Sequence, residues 1–309
     1  MKKLPAIRIT ILVLLLGCTL VSCVTSAANT DSSSTPSIAT TVAVTPSPQF
    51  NGDRAYEDVI NQDAFGPRVP GSAAHDLEVE YIRSELKKVG WQVTIQDTVY
   101  QGHRVQNITA SRSETQSPII LCAHYDSRSL ADRDKDEAAR SQAVPGANDG
   151  ASGVAVLLEI ARVLPTETQE VWLVFFDAED QGDFPNWDWA LGASAYADAL
   201  MVTPRAVVLL DMIGDADLNI YREGSSTKAL QDEIWQTAAD LGYSAQFIDS
   251  QKYTMIDDHT PFLNKGIPAV DLIDFDYLYW HTSQDTADKV SAQSLEIVGN
   301  VLLAWLKAK

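Results

Sequence analysis

Four short apolar runs, each leading into acidic residues or a histidine, constrain this chain more than any other feature. Residues 118–123, 171–176, 206–210 and 267–273 are continuous apolar stretches of the length and kind found in central strands. The stretches between them, 153–164, 189–201, 230–241 and 294–306, space their apolar residues as helices do. Upstream, Leu77, Tyr81, Ile82, Leu86 and Val89 share a helical face that stops at Gly90, and Trp91, Val93 and Ile95 then alternate as in a strand. Strands alternating with helices predict an α/β domain with a mixed, mostly parallel sheet. In such a sheet, ligands bind at the carboxyl ends of the strands.

The residues at those ends are His124-Tyr125-Asp126-Ser127, Asp177-Ala178-Glu179-Asp180 and Asp211-Met212-Ile213-Gly214, and the last run leads to Trp280-His281-Thr282. A fifth group, Asn148-Asp149-Gly150, opens the helix that starts near Ser152. One polar strand end is ordinary. Five gathered at one sheet edge would crowd carboxylates that cannot all stay ionised without a cation. Imidazole and carboxylate ligands without thiolates suit zinc, and a histidine held by a nearby carboxylate such as Asp126 is the usual support. Cys122 lies within an apolar stretch and reads as a buried, inert thiol.

The amino terminus reads differently. Met1-Lys2-Lys3 and Arg8 precede an apolar run over residues 9–20, followed by Leu20-Val21-Ser22-Cys23, which resembles a bacterial lipobox. Leu15-Leu16-Gly17-Cys18 is a weaker candidate of the same kind. The expectation is a lipoprotein signal peptide over 1–23 with the lipid on Cys23, a Ser/Thr/Pro-rich tether over 24–50, and one catalytic domain over 51–309. That arrangement describes a protein exported and lipid-anchored to the bacterial cell envelope, and expected to be a monomer. With Cys18 and Cys23 assigned to the export segment, Cys122 alone remains and the fold must stand without disulfides. The balance of 23 basic against 42 acidic residues, net −19, argues against nucleic acid as a partner.

The order of these groups resembles metallopeptidase family 28, the co-catalytic zinc aminopeptidases, and its relatives the glutaminyl cyclases. Matching segments run through 53–309: Gly66-Pro67-Arg68-Val69-Pro70-Gly71-Ser72, His124-Tyr125-Asp126-Ser127, residues 146–153, Glu179-Asp180, Asp211-Met212, Asp257-Asp258-His259 and Trp280-His281-Thr282. The resemblance implies a three-layer αβα fold of the zinc aminopeptidase and phosphorylase/hydrolase-like kind, acting on peptide or protein amino termini. It implies that Asp149, Asp180 and His281 hold one zinc, that His124 and Asp211 complete a second site bridged by Asp149, and that Glu179 is the general acid/base. The number of zinc ions, one or two, is left open. Asp180 departs from the commoner Glu by one methylene.

Within the resemblance, three features favour the cyclase, which converts amino-terminal glutamine to pyroglutamate and ammonia. Trp280 before His281 resembles the wall of the cyclase pocket, Asp257 matches a residue that joins Glu179 and Asp211 in a carboxylate network, and residues 188–193 resemble the stretch after the cyclase metal site. Against it, Asn148-Asp149-Gly150 and the complete set of five ligand types look at home in the aminopeptidases, and Asp271 stands where animal cyclases carry histidine. A non-catalytic peptide-binding lipoprotein is a third reading, opposed by the intact Glu179 and ligands. His75 and His103 read as surface residues, and His259 as structural or as orienting its aspartates. Trp187, Trp189 and Trp235 read as core, and residues 128–140 as a solvated loop at the rim.

Overall fold

The computed structural model describes residues 49–309 apart from Gln169; the expected signal segment, Cys18, Cys23 and nearly all of the tether lie outside the described residues. The chain runs α1 (Gly52–Asp63), α2 (Ala73–Lys88), β1 (Gln92–Tyr100), β2 (His103–Ser111), β3 (Ile119–His124), α3 (Ala151–Val163), β4 (Val171–Phe176) and α4 (Leu191–Ala199). It continues through β5 (Ala206–Asp211), β6 (Ile220–Glu223), α5 (Lys228–Asp240), β7 (Phe247–Tyr253), α6 (Thr260–Leu263), β8 (Ala269–Ile273) and α7 (Ala292–Lys307).

Six strands form one mixed sheet in the order β1-β2-β4-β3-β5-β8. The β1–β2 and β2–β4 pairs are antiparallel, whereas β4, β3, β5 and β8 run parallel. All six residues of β3 and all six of β5 are buried, so both sheet faces must be covered. Alternate residues accordingly enter different cores. Ile119, Leu121, Val208 and Leu210 pack among residues of α1, α2, α3, α5 and α7, while Ile120, Cys122, Val207 and Leu209 pack with α4 and α6. This is the expected three-layer αβα arrangement. Among the described residues no helix is long and apolar enough to cross a membrane.

The path of the chain sets the position of the site. From β3 it passes through α3 to β4 on one side, and from β5 it moves away to β8 on the other. A crevice therefore opens at the carboxyl ends of β3 and β5, where the direction of winding reverses.

Several expectations are corrected. His75 is 2% exposed and its Nε2 lies 2.8 Å from Asp177 Oδ1, while Leu77, assigned to the inner helical face, is 53% exposed. The inner face of α2 passes through Val79, Ile82 and Leu86, one residue out of phase at its start. His103 begins β2 and stacks on Trp187 with ring centres 3.6 Å apart. The 128–140 segment is not simply solvated: Arg128, Ala131, Asp134 and Ala139 are buried.

Candidate metal centre and active site

His124 is the last residue of β3 and Asp211 the last of β5; Glu179 and Asp180 follow β4, Asp149 precedes α3, and His281 lies beyond β8. Strand and helix ends thus deliver all six to one place. His124 Nε2 lies 3.1 Å from Asp149 Oδ1 and 3.2 Å from Asp211 Oδ1. His281 Nε2 lies 3.0 Å from Asp180 Oδ1 and 3.8 Å from Asp149 Oδ2. Two buried trios result, His124–Asp149–Asp211 and Asp149–Asp180–His281, sharing Asp149 through its two different oxygens.

The backbone is bent to achieve this. Ala178, Met212 and His281 all adopt left-handed φ values, of 56°, 47° and 55°. Each such non-glycine residue costs about 1–2 kcal/mol, and such strain concentrates at functional sites. Gly150, at φ 97°, allows α3 to start against the first trio, because a Cβ there would meet Asp126 O at 2.7 Å and His124 Cε1 at 3.1 Å. Asp126 is the hub behind the site: its carboxylate accepts from Glu179 N at 3.0 Å, Asp180 N at 3.3 Å and Gln181 Nε2 at 3.2 Å, and faces His124 Nδ1 at 3.5 Å. Asp285 does the same for the other loop. It accepts from Asn148 N at 2.9 Å and Asp149 N at 3.1 Å while Tyr277 donates its hydroxyl at 2.6 Å. Fully buried Arg68 ties the loops together, donating to the carbonyls of Tyr125, Pro145 and Gly146.

Burial and like charge dominate the electrostatics. Burial, then neighbouring Asp257, pushes Glu179 well above the usual carboxylate range. Burial, then Asp149, does the same to Asp180. Burial raises Asp211 to about 8 against the opposing effect of its hydrogen bond with His124. Asp149 is the exception: burial acts against it, but the hydrogen bond and charge of His124 hold its carboxylate low. His281 is pushed down to about 3 by burial, so its imidazole is neutral with a lone pair to offer.

These residues fit a divalent metal. Asp149 Oδ2 and both Asp180 oxygens are buried and accept no hydrogen bond. Buried carboxylate oxygens without partners are expensive, and a cation beside neutral imidazole relieves them. Nitrogen and oxygen donors with no sulfur suit zinc.

Beside the trios lies a pocket of about 240 Å³, floored by Asp149, Glu179, Asp180, Asp211 and Asp257 and walled by Met255, Ile256, Phe275, Trp189 and Trp280. Trp280 packs on His281 at 3.9 Å between ring centres and Trp189 at 6.0 Å. Trp189, assigned to the core, is therefore a pocket wall; Gly182 permits this, since a Cβ there would run into the indole at 2.1 Å. Asp257 shares the pocket, its charge acts on Glu179 and Asp211, and it clusters with buried His259 and Asp271. His259 is buried, 2.9 Å from Ser225 Oγ and 3.2 Å from Glu223 Oε2. The orienting parts of Arg128, Gln181, Tyr277 and Asp285 had no signal in the sequence. Arg128 donates to the carbonyls of Asp180 and Gly182, Asp285 holds two backbone N–H groups, and Gln181 and Tyr277 donate to the carboxylates of Asp126 and Asp285, all partners brought close only by the fold.

Fold and site together define an α/β enzyme built around a buried carboxylate–imidazole metal centre. The chain belongs to peptidase family M28, which its residues 106–306 match. It is 34% identical to a glutaminyl cyclase of Tannerella forsythia, with a TM-score of 0.79 over 85% of this chain and 100% of that one. A Zn-dependent exopeptidase from Parabacteroides distasonis is as similar, at 34% identity and TM-score 0.80 over 85% and 100% of the two chains. The glutaminyl-peptide cyclotransferase of Boiga irregularis is 24% identical, with 84% of this chain and 81% of that protein covered.

Proposed function

We propose that this protein is a zinc-dependent glutaminyl-peptide cyclotransferase, converting an amino-terminal glutamine to pyroglutamate with release of ammonia. The observation that carries this reading is the small, aromatic-walled pocket whose floor holds Glu179, Asp211 and Asp257 together. Sites for drug-sized ligands occupy about 300–1,000 Å³, so this one suits a single amino-acid residue. Apolar walls from Trp189, Trp280 and Phe275 would pack on the glutamine methylenes and keep competing water away from the carbonyl.

Asp149, Asp180 and His281 would hold the zinc, which when bound supplies a Lewis acid to polarise the γ-carbonyl. In this reading Glu179 does the proton work. It takes a proton from the substrate α-amine as nitrogen bonds to the side-chain carbonyl carbon, and returns it to the amide nitrogen, whose bond to that carbon breaks as it leaves as ammonia. Its raised affinity for protons suits a group that must both accept and donate near neutral pH. Asp257, buried and pushed upward by that burial, stands beside Glu179 and Asp211 to share the charge that develops.

One observation favours a second reading, a family M28 aminopeptidase. Asp149 turns one oxygen to each trio, so the two trios would be able to hold two zinc ions, which would supply an activated water as nucleophile. Incubation of the zinc-loaded protein with Gln-initiated and Leu-initiated peptides separates the two. The cyclase releases ammonia from the first and leaves the second intact; free leucine from the second, with no pyroglutamate from the first, overturns the proposal.

A further inference from the structure

The catalytic pocket opens past Trp189 and Ile256 into a second cleft of about 480 Å³, which both residues also line. Phe184, Pro185 and Trp187 supply its apolar wall, and Asp183 and Asp188 its charge. Its walls are fixed from behind. His103 Nε2 lies 2.7 Å from Asn186 O while its ring stacks on Trp187, and the Arg128 guanidinium sits 4.2 Å over Phe184 and 5.1 Å over Trp189. Ile256 stands 65% exposed on the rim, an apolar side chain left open where the two clefts meet.

The charges in this cleft are one-sided. Asp183 and Asp188 are exposed and, among the described residues, pair with no cation, whereas neighbouring cations are engaged elsewhere. Lys265 pairs with Asp198 at 2.9 Å, Arg104 is held by Asp97, and Arg128 is buried against Asp132. Arg133 stacks on Trp280, which does not line the cleft. A peptide whose first residue fills the catalytic pocket has a way out past the shared wall of Trp189 and Ile256, and at about 3.5 Å per residue its next two side chains reach this neighbourhood.

We propose that this cleft binds the second and third residues of the peptide substrate and selects basic side chains there, through Asp183 and Asp188 and through stacking on Trp187 and Trp189. The inference rests on the reading of the site as acting on peptide amino termini. Exposed ion pairs are individually weak, so the two together favour a basic substrate by about three- to tenfold at low salt, and screening reduces the preference as salt rises.

The test compares kcat/KM for Gln-Arg-Arg-Ala amide and Gln-Glu-Glu-Ala amide on the zinc-loaded full-length protein and on the double variant Asp183→Asn/Asp188→Asn. The proposal expects a basic-over-acidic ratio of about three to ten that collapses to within twofold in the double variant. A ratio near one in the unaltered protein, or one that persists in the double variant, overturns it. Turnover of the neutral Gln-Ala-Ala-Ala amide tests the cyclase reading separately. Calorimetric affinities of the charged pair for Glu179→Gln protein decide the cleft even where no pyroglutamate forms.

Discussion

Asp149 shows how much of this site depends on single atoms. Its two oxygens face different histidines, and its backbone N–H is fixed by Asp285, so the carboxylate cannot turn without losing one trio. Asp285→Ala should therefore weaken zinc binding by about 10- to 100-fold, as loss of a ligand's support commonly does; competition with a chromogenic chelator measures it, and unchanged affinity would remove Asp285 from the site. Glu179→Gln should lower pyroglutamate formation by about 10²- to 10⁴-fold with zinc content intact. The residues proposed as ligands stood out because imidazole and carboxylate side chains recur at the strand ends, and the likeness to family 28 supplied their proposed roles. His75 and Trp189 were not, because their surroundings depend on partners distant in sequence: His75 meets Asp177, and Trp189 meets Gly182 and the pocket.

At the scale of elements, the central strands were legible because each is buried on both faces and so reads as an unbroken apolar run. The elements that escaped notice lack that signature. In β7, four consecutive residues, Asp249–Lys252, are exposed, and α1 buries only Ala55, Val59 and a few polar residues against α3 and α7. Helix α2 carries a liability that makes a prediction about pH. Its Glu78 is fully buried, neither of its oxygens has a hydrogen-bond partner, and burial raises it to about 8. A carboxyl whose folded value exceeds its unfolded value binds its proton more tightly when folded, so its contribution to stability is present at low pH and lost as pH rises from about 4.5 towards 8. Glu78→Gln removes that loss. Thermal melts should show the variant gaining on the parent by on the order of 1–3 kcal/mol between pH 5 and pH 8; parallel pH profiles would show that Glu78 is not protonated in the fold.

The whole molecule concentrates its acidic character where it is most costly. Glu179, Asp180, Asp211, Asp257, Asp258 and Asp271 are all buried near one another, with burial raising each and the charge of neighbouring carboxylates adding to it for all but Asp257. A bound cation should hold the fold together: at a hundredfold excess over Kd it contributes about 2.7 kcal/mol, so chelation should lower Tm by roughly 5–10 °C. Calorimetry with and without chelator checks this. The proposal of envelope anchoring through Cys23 is separable, since Cys23→Ser should release the protein from membranes without altering its peptide chemistry. The count of zinc per purified chain by elemental analysis, in the parent and in Asp180→Ala, tests the central claim most directly. One zinc per chain is expected, lost in the variant; a folded parent chain that holds no zinc would overturn the metal centre.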